Sequence, residues 1–215
     1  MIFEAFTDGL TCYVQLRRLQ YIHSRHFIHR DLKPSNIVMG IGKQANVVHL
    51  IDFGLSKQFR DPKTRIHIPY NNGLGLIGTA NFASINSHLG LELGRRDDME
   101  SLAYILIYFL CGFLPWQGVE AEGHDIVELK RGITTHDCFQ ALPMELRAFL
   151  EHCRSLSFDA KPNYDHFRAI FDDLLLREGF QNKPIFEWDA VGGPLPGRSS
   201  ERDVSVGCGI PKRTG

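Results

Sequence analysis

Apolar residues recur at helical spacing in several stretches of the chain. Cys12, Leu16, Leu19 and Ile22 fall three or four apart and predict a helix over 11–25. Leu146, Phe149, Leu150, Cys153 and Leu156 predict an amphipathic helix with Pro143 near its start. Tyr164, Phe167, Ile170, Phe171 and Leu174 predict another, closed by Gly179. The run from Leu102 to Leu110 is apolar throughout and stops at Gly112. It falls well short of the roughly 20 residues of a membrane span, so it predicts a buried helix. Ile37-Val38-Met39 and Val47 to Ile51 are short β-branched runs around Gly40 and Gly42, and they predict paired strands. Residues 55–90 hold no period and are expected to be mostly irregular. After Trp188 the chain turns to glycine, proline, serine and arginine, which predicts a disordered tail over 189–215.

Composition narrows the picture only a little. At 215 residues and 43% hydrophobic content the chain suits one large domain or an incomplete two-lobed one. A net charge of −1 offers no global basic surface, which argues against nucleic acid as the main partner. Oligomeric state is not legible. Cys12, Cys111, Cys138, Cys153 and Cys208 are odd in number and widely spaced, which predicts reduced thiols and a cytoplasmic or nuclear setting. Met1 to Leu10 lacks the basic start and apolar stretch of a secretory signal. His23, His26 and His29 stand at three-residue spacing without a zinc motif and are taken as ordinary helix and loop residues.

The chemistry lies in two short motifs, His29-Arg30-Asp31-Leu32-Lys33-Pro34-Ser35-Asn36 and Asp52-Phe53-Gly54. Alone, an Asp or a Lys is most often a solvated surface charge. Together and in this order they match the catalytic loop and metal-binding triplet of a protein kinase. Phosphoryl transfer needs an oriented hydroxyl and neutralised phosphate charge. Asp31 is suited to take the hydroxyl proton, and Lys33 places a cation near the same point. Asn36 and Asp52 offer hard oxygen ligands for Mg²⁺ bridging the phosphates of ATP. His29, Arg30, Phe53 and Gly54 complete the motifs as supporting residues.

Other segments extend the likeness. Tyr21-Ile22-His23-Ser24, Ile51-Asp52-Phe53-Gly54-Leu55, His67-Ile68-Pro69-Tyr70 and Gly78-Thr79-Ala80 resemble the casein kinase 1 family. So do Arg95-Arg96-Asp97-Asp98, Leu114-Pro115-Trp116-Gln117-Gly118 and Cys153-Arg154-Ser155-Leu156. The most specific marker is Ser84-Ile85-Asn86, where most protein kinases carry Ala-Pro-Glu. The resemblance covers roughly 12–188, with Met1 to Leu10 matching poorly, so residues 11–188 are expected to form one domain. It implies a mainly α fold with short β-strands, the C-terminal lobe of an α+β two-lobed kinase. It also implies serine/threonine phosphorylation of protein substrates from ATP, with Lys33 in keeping, because tyrosine kinases usually lack that lysine. By the same resemblance Thr79 bonds near Asp31, and Asp98 braces the catalytic loop from a buried helix.

Three features set this chain apart. Residues 1–28 contain no lysine, so the strand lysine that grips the ATP phosphates is not among them. What is left of the ATP site is its floor, Val38 and Ile51, and the 215 residues alone are expected to transfer no phosphate. A non-catalytic binding module is the alternative. Gly73-Leu74-Gly75-Leu76-Ile77-Gly78 fits the Gly-x-Gly-x-x-Gly pattern, but its flanks predict loop and not the strand that a phosphate loop or dinucleotide site requires. Finally, the family places an arginine where this chain has Asn81, and lysines where it has Glu120, Glu122 and Asp125. Those exchanges predict a weakened preference for phosphorylated or acidic sequences upstream of the target residue.

Overall fold

The protein, seen in a computed structural model, is described over residues 15–44, 47–119 and 124–179, with Lys43 and His124 described in backbone only. Helix α1 (15–24) opens this region and buries Leu16, Leu19 and His23 on one face. The three- and four-residue spacing of those side chains puts them on one stripe, as the periodicity requires. The Cys12 end of the predicted helix lies outside the described residues. Beyond α1 the chain turns at His26, which takes a φ of 74°, and enters strand β1 (Phe27–Ile28).

Two small antiparallel pairs frame the loop that follows. Strand β2 (Ile37–Met39) pairs with β3 (Val48–Leu50), with Val38 opposite His49, which is the hairpin the β-branched runs predict. Strand β1 pairs with β4 (Lys57–Gln58), Ile28 standing opposite Lys57. Of this second pair, β4 lies inside the stretch expected to be irregular. Two residues per strand are too few to show an alternation that a sequence reader could detect.

The rest is helical: α2 (Ile85–His88), α3 (Arg95–Cys111), α4 (His124–Gly132), α5 (Asp137–Gln140), α6 (Met144–Ser155) and α7 (Tyr164–Arg177). Helix α3 contains the apolar run and is buried on all sides from Asp97 to Ile107. It ends at Gly112, whose φ of 78° is the left-handed conformation that stops a helix cheaply only at glycine. Around α3 pack Trp116, edge-on to Tyr104 at 5.0 Å, and Phe149, which meets Phe167 and Phe171 of α7. Pro143 caps α6 and Leu156 follows its last turn, so the predicted helix is one residue too long at its end. Asn163 caps α7 by accepting from the His166 amide. Among the described residues no helix is long and apolar enough to cross a membrane.

The cysteines depart from expectation. Cys111 and Cys138 are disulfide-bonded, so the prediction of reduced thiols fails for this pair, and with it the thiol argument for a reducing compartment. The end of α3 and the start of α5 bring their Cα atoms to 6.3 Å, within bridging range, across a sequence separation of 27 that carried no signal. Cys153 is free and buried, and burial raises its thiol pKa well above the ordinary value. Cys12, Cys208 and the expected tail over 189–215 lie outside the described residues.

Candidate active site

The loop between β1 and β2 positions the predicted catalytic residues. Pro34, with its fixed φ, starts a single 3-10 turn (Pro34–Asn36) that delivers the chain into β2. Asp31, 8% exposed, is held by three donors. Its Oδ1 accepts from the Thr79 hydroxyl at 2.7 Å and the Thr79 amide at 2.9 Å, and its Oδ2 accepts from Lys33 Nζ at 2.8 Å. Lys33 Nζ also donates to Thr79 Oγ1 at 3.1 Å. The structure thus brings Asp31, Lys33 and Thr79 into one hydrogen-bonded triangle, although Thr79 is 48 residues from Asp31 in sequence.

Gly78 makes that approach possible. Its φ is 91°, and a Cβ at this position would lie 2.5 Å from the Arg30 carbonyl oxygen. Only glycine lets the segment pass so close to the loop. The segment from Gly73 to Gly78 is loop, as its flanks predict, and its last glycine serves a packing contact.

Behind the loop stands Asp98, fully buried on α3. It accepts from the backbone amides of His29 (2.7 Å) and Arg30 (2.8 Å), and bonds His23 Nε2 at 2.8 Å. Burial pushes the Asp98 carboxyl pKa up, but the His23 imidazole and the two amides outweigh it and hold it below the ordinary value. His23 Nδ1 in turn bonds the Tyr164 hydroxyl at 2.6 Å. His23 is therefore not an ordinary helix residue: it links α1, α3 and α7 behind the loop. Its partners lie 75 and 141 positions away, so only the three-residue histidine spacing set it apart in the sequence.

The supporting residues fall around this frame. His29 accepts from the Asp31 amide through Nδ1 and reaches the Ile51 carbonyl through Nε2 at 3.0 Å, which orients its ring. Its ring lies 5.0 Å from that of Phe53. Arg30 Nε donates to the Leu55 carbonyl, and Gly54 donates its amide to Asp52 Oδ1. Arg30 and Asp52 both take positive φ, 70° and 62°, a conformation uncommon outside glycine.

Asn36 and Asp52 are the side chains that could hold a divalent cation. The Ile51 amide donates to the Asn36 carbonyl at 3.0 Å, so the residue preceding Asp52 is pinned to Asn36. Asn36 Nδ2 donates to the Asp31 carbonyl, which leaves Oδ1 as its ligating atom. The Asp52 carboxylate is exposed and, among the described residues, takes a single bond, from Gly54. Two hard oxygen donors suit Mg²⁺, which otherwise keeps waters and phosphate oxygens. Beside them Val38 and Ile51 fall on one face of the β2–β3 pair by strand alternation, while Ile37 and Leu50 pack into the core from the other. Ile51 is 41% exposed and Phe53 45%, an open apolar shelf next to the candidate metal ligands.

Farther along, Ser84-Ile85-Asn86 docks on α3. The Ser84 hydroxyl and the Asn86 amide group donate to Asp97 Oδ1 at 2.8 and 2.9 Å, and the Gly94 amide donates to Asp97 Oδ2 at 2.7 Å. Burial raises the Asp97 carboxyl pKa to about 6 against these donors. The folded state then binds this proton more tightly than the unfolded chain does. The group's stabilising share is complete below the ordinary carboxylate pKa and is lost as pH rises through about 6. Unfolding free energies measured by denaturant titration at pH 4.5 and 7.5 should show Asp97→Asn relieved of a fall of about 2 kcal/mol. An unchanged pH slope in the variant would contradict this account of Asp97.

Asn81 is half-buried, and its carbonyl accepts from Trp116 Nε1 at 2.8 Å. Lys130, which periodicity did not single out, is fully buried beneath the same segment. Its ammonium donates to the carbonyls of Ala80 (2.8 Å) and Ala83 (2.6 Å) and sits 4.8 Å from the Tyr104 ring centre. Burial lowers its pKa to about 7. Glu120 and Glu122 lie outside the described residues, and Asp125 is exposed.

A positioned carboxylate, a cation beside it and a pair of hard oxygen ligands are the groups that phosphoryl transfer to a hydroxyl requires. A family model for the protein kinase domain matches residues 9–166, which include this loop, the Asp52-Phe53-Gly54 triplet, the docked segment and α3. With nearly three quarters of its length matched, the chain belongs to the protein kinase family, whose members use ATP to phosphorylate proteins.

Proposed function

We propose that the protein is a serine/threonine kinase of the casein kinase 1 type, with the described residues as its C-terminal lobe. The observation that carries this reading is the Asp31 carboxylate clamped by Thr79 and Lys33. A carboxylate so fixed can accept the hydrogen bond of an incoming hydroxyl and take its proton as the oxygen–phosphorus bond forms. Lys33 offsets charge on the group in transit. Asn36 and Asp52 would hold Mg²⁺, which when bound bridges and neutralises the ATP phosphates. Val38 and Ile51 provide an apolar rest for the base. Lys33 also supports serine or threonine as the acceptor, by the resemblance noted above. Ser84-Ile85-Asn86, tied to Asp97, supports the casein kinase 1 type.

The second reading is a docking lobe without chemistry. A phosphotransfer assay separates the two. Native protein isolated from cells should label serine and threonine in a peptide array given γ-labelled ATP, whereas purified residues 1–215 should label none. Label confined to tyrosine overturns the serine/threonine reading, and failure of the native protein to label any peptide establishes the docking lobe. The same array tests Asn81 and Glu120. Strong selection for phosphoserine upstream of the target would refute the expected weakening of that preference.

A further inference from the structure

Outside the active site, a pocket of about 280 Å³ is lined by His23, Tyr164 and four cationic residues, Arg60, Arg65, Arg95 and Lys161, with no carboxylate in its wall. None of the four stands in an ion pair among the described residues. Of the carboxylates close by, Asp61 accepts from the Lys63 and Thr64 amides, Asp98 is taken up by His23 and the loop amides, and Asp159 accepts from Ser157 while its charge also favours Arg95.

The cations are held in place. Arg60 and Arg95 share the buried ring of Phe59, their guanidinium carbons 5.4 and 4.7 Å from its centre. Arg60 is also fixed by its Nε bond to His26 Nδ1 at 2.8 Å. Arg95, only 7% exposed, donates one amino group to the Asp159 carbonyl, while its Nε is buried without a partner. Burial, the largest effect, and the neighbouring Arg60 charge disfavour the charged form of Arg95, and Tyr164 and Asp159 offset them only in part. Two guanidiniums on one ring, beside a third and a lysine, repel one another unless an anion lies among them. Burying an Arg donor unpaired carries a further cost that an acceptor in the pocket removes.

We propose that this pocket binds a small phosphate-class dianion, either free or carried on a phosphorylated side chain. Fixed arginine forks suit phosphate oxygens, which accept several charge-assisted hydrogen bonds at once. At about 30 Å³ per liquid water the volume holds a phosphate with several waters. It lies just under the range of pockets that enclose drug-sized ligands, so a nucleotide is too large. The site is separate from the Asp31–Lys33 machinery but shares His23 with the anchor of that loop.

Thermal unfolding of the full chain in sodium phosphate, against sodium chloride at matched ionic strength, tests the proposal. Phosphate should raise Tm by about 5 °C at saturation. The Arg60→Gln/Lys161→Gln double variant, its fold checked by circular dichroism, should lose that rise. As a local readout, the His23 ring carbon-bound proton signals should shift with phosphate in the wild type and stay fixed in the variant. Saturation at lower concentration by O-phospho-L-serine than by inorganic phosphate assigns the site to a phosphorylated side chain, and the reverse order assigns it to the free anion. No rise over chloride, or an equal rise in the double variant, overturns the proposal.

Discussion

Replacing Asp98 with alanine is expected to cost the fold about 3–5 kcal/mol, a large share of the stability of a domain of this kind. The carboxylate is wholly buried and is the acceptor for His29 N, Arg30 N and His23 Nε2 at once. Alanine leaves those donors in a dry interior without partners, and each unsatisfied donor costs about 1–3 kcal/mol. The loss falls on a strained point, because Arg30 holds a φ of 70°, which a non-glycine residue keeps only when its surroundings impose it. Released from Asp98, the loop relaxes and Asp31 leaves its place against Thr79. Amide hydrogen exchange should therefore quicken at His29, Arg30 and Thr79, while α6 and α7 change only with global stability. Asp98→Asn should fall between, since its amide keeps one acceptor oxygen and turns a donor toward a donor. The wild-type contribution also has a pH sign. The Asp98 pKa is depressed in the fold, so its share of stability is present above the ordinary carboxylate value and is lost as pH falls below it. An Asp98→Ala variant that melts within a degree or two of the wild type would show that the brace is dispensable.

The parts of this protein that sequence reveals are the parts whose physics is local. Asp31, Lys33 and Asn36 lie within six residues of one another on one loop, so their chemistry is spelled out contiguously. The long helices announce themselves because burial repeats every turn, as with Leu146, Phe149, Leu150 and Cys153 in α6. The strand pair of Ile37–Met39 with Val48–Leu50 is visible through β-branching. What escaped depends on contacts between distant positions. Thr79 and Asp98 were placed by family resemblance, and nothing in their own neighbourhoods points to Asp31 or to the loop amides. His23 and Tyr164 meet across 141 positions, and Lys130 reaches Ala80 across 50. Short elements escaped for a different reason: β1, β4 and α5 are two to four residues long, shorter than the windows in which a period can be counted. Gly78 belonged to a glycine pattern whose flanks excluded a phosphate loop. The contact that needs the glycine, against the Arg30 carbonyl, lies in another segment.

The largest effect on activity is expected from Asp31→Asn in the native protein. Asparagine has nearly the same shape, and its oxygen can still accept from the Thr79 amide and hydroxyl, so the loop should stay folded. It cannot take a proton. Its amide hydrogens would also face the Lys33 ammonium, which bonds Oδ2 at 2.8 Å in the wild type, and would push that cation from its place. Loss of a positioned proton acceptor costs about 10²–10⁴ in rate. On the proposed assignment, with Asp31 acting on the hydroxyl and the nucleotide resting on other residues, the loss should appear in kcat with KM for ATP little changed. Lys33→Met offers the internal comparison. It keeps the carboxylate and its Thr79 bonds but removes the charge that offsets the moving phosphoryl group, so kcat falls while Asp31 remains a competent base. The two roles separate in solvent isotope effects, since only the asparagine variant alters proton transfer. Melting temperatures of both variants should remain within a few degrees of the wild type, which excludes unfolding as the cause. An Asp31→Asn enzyme turning over within threefold of the wild type would remove Asp31 from the chemistry and leave the Thr79–Lys33 triangle as a purely structural clasp.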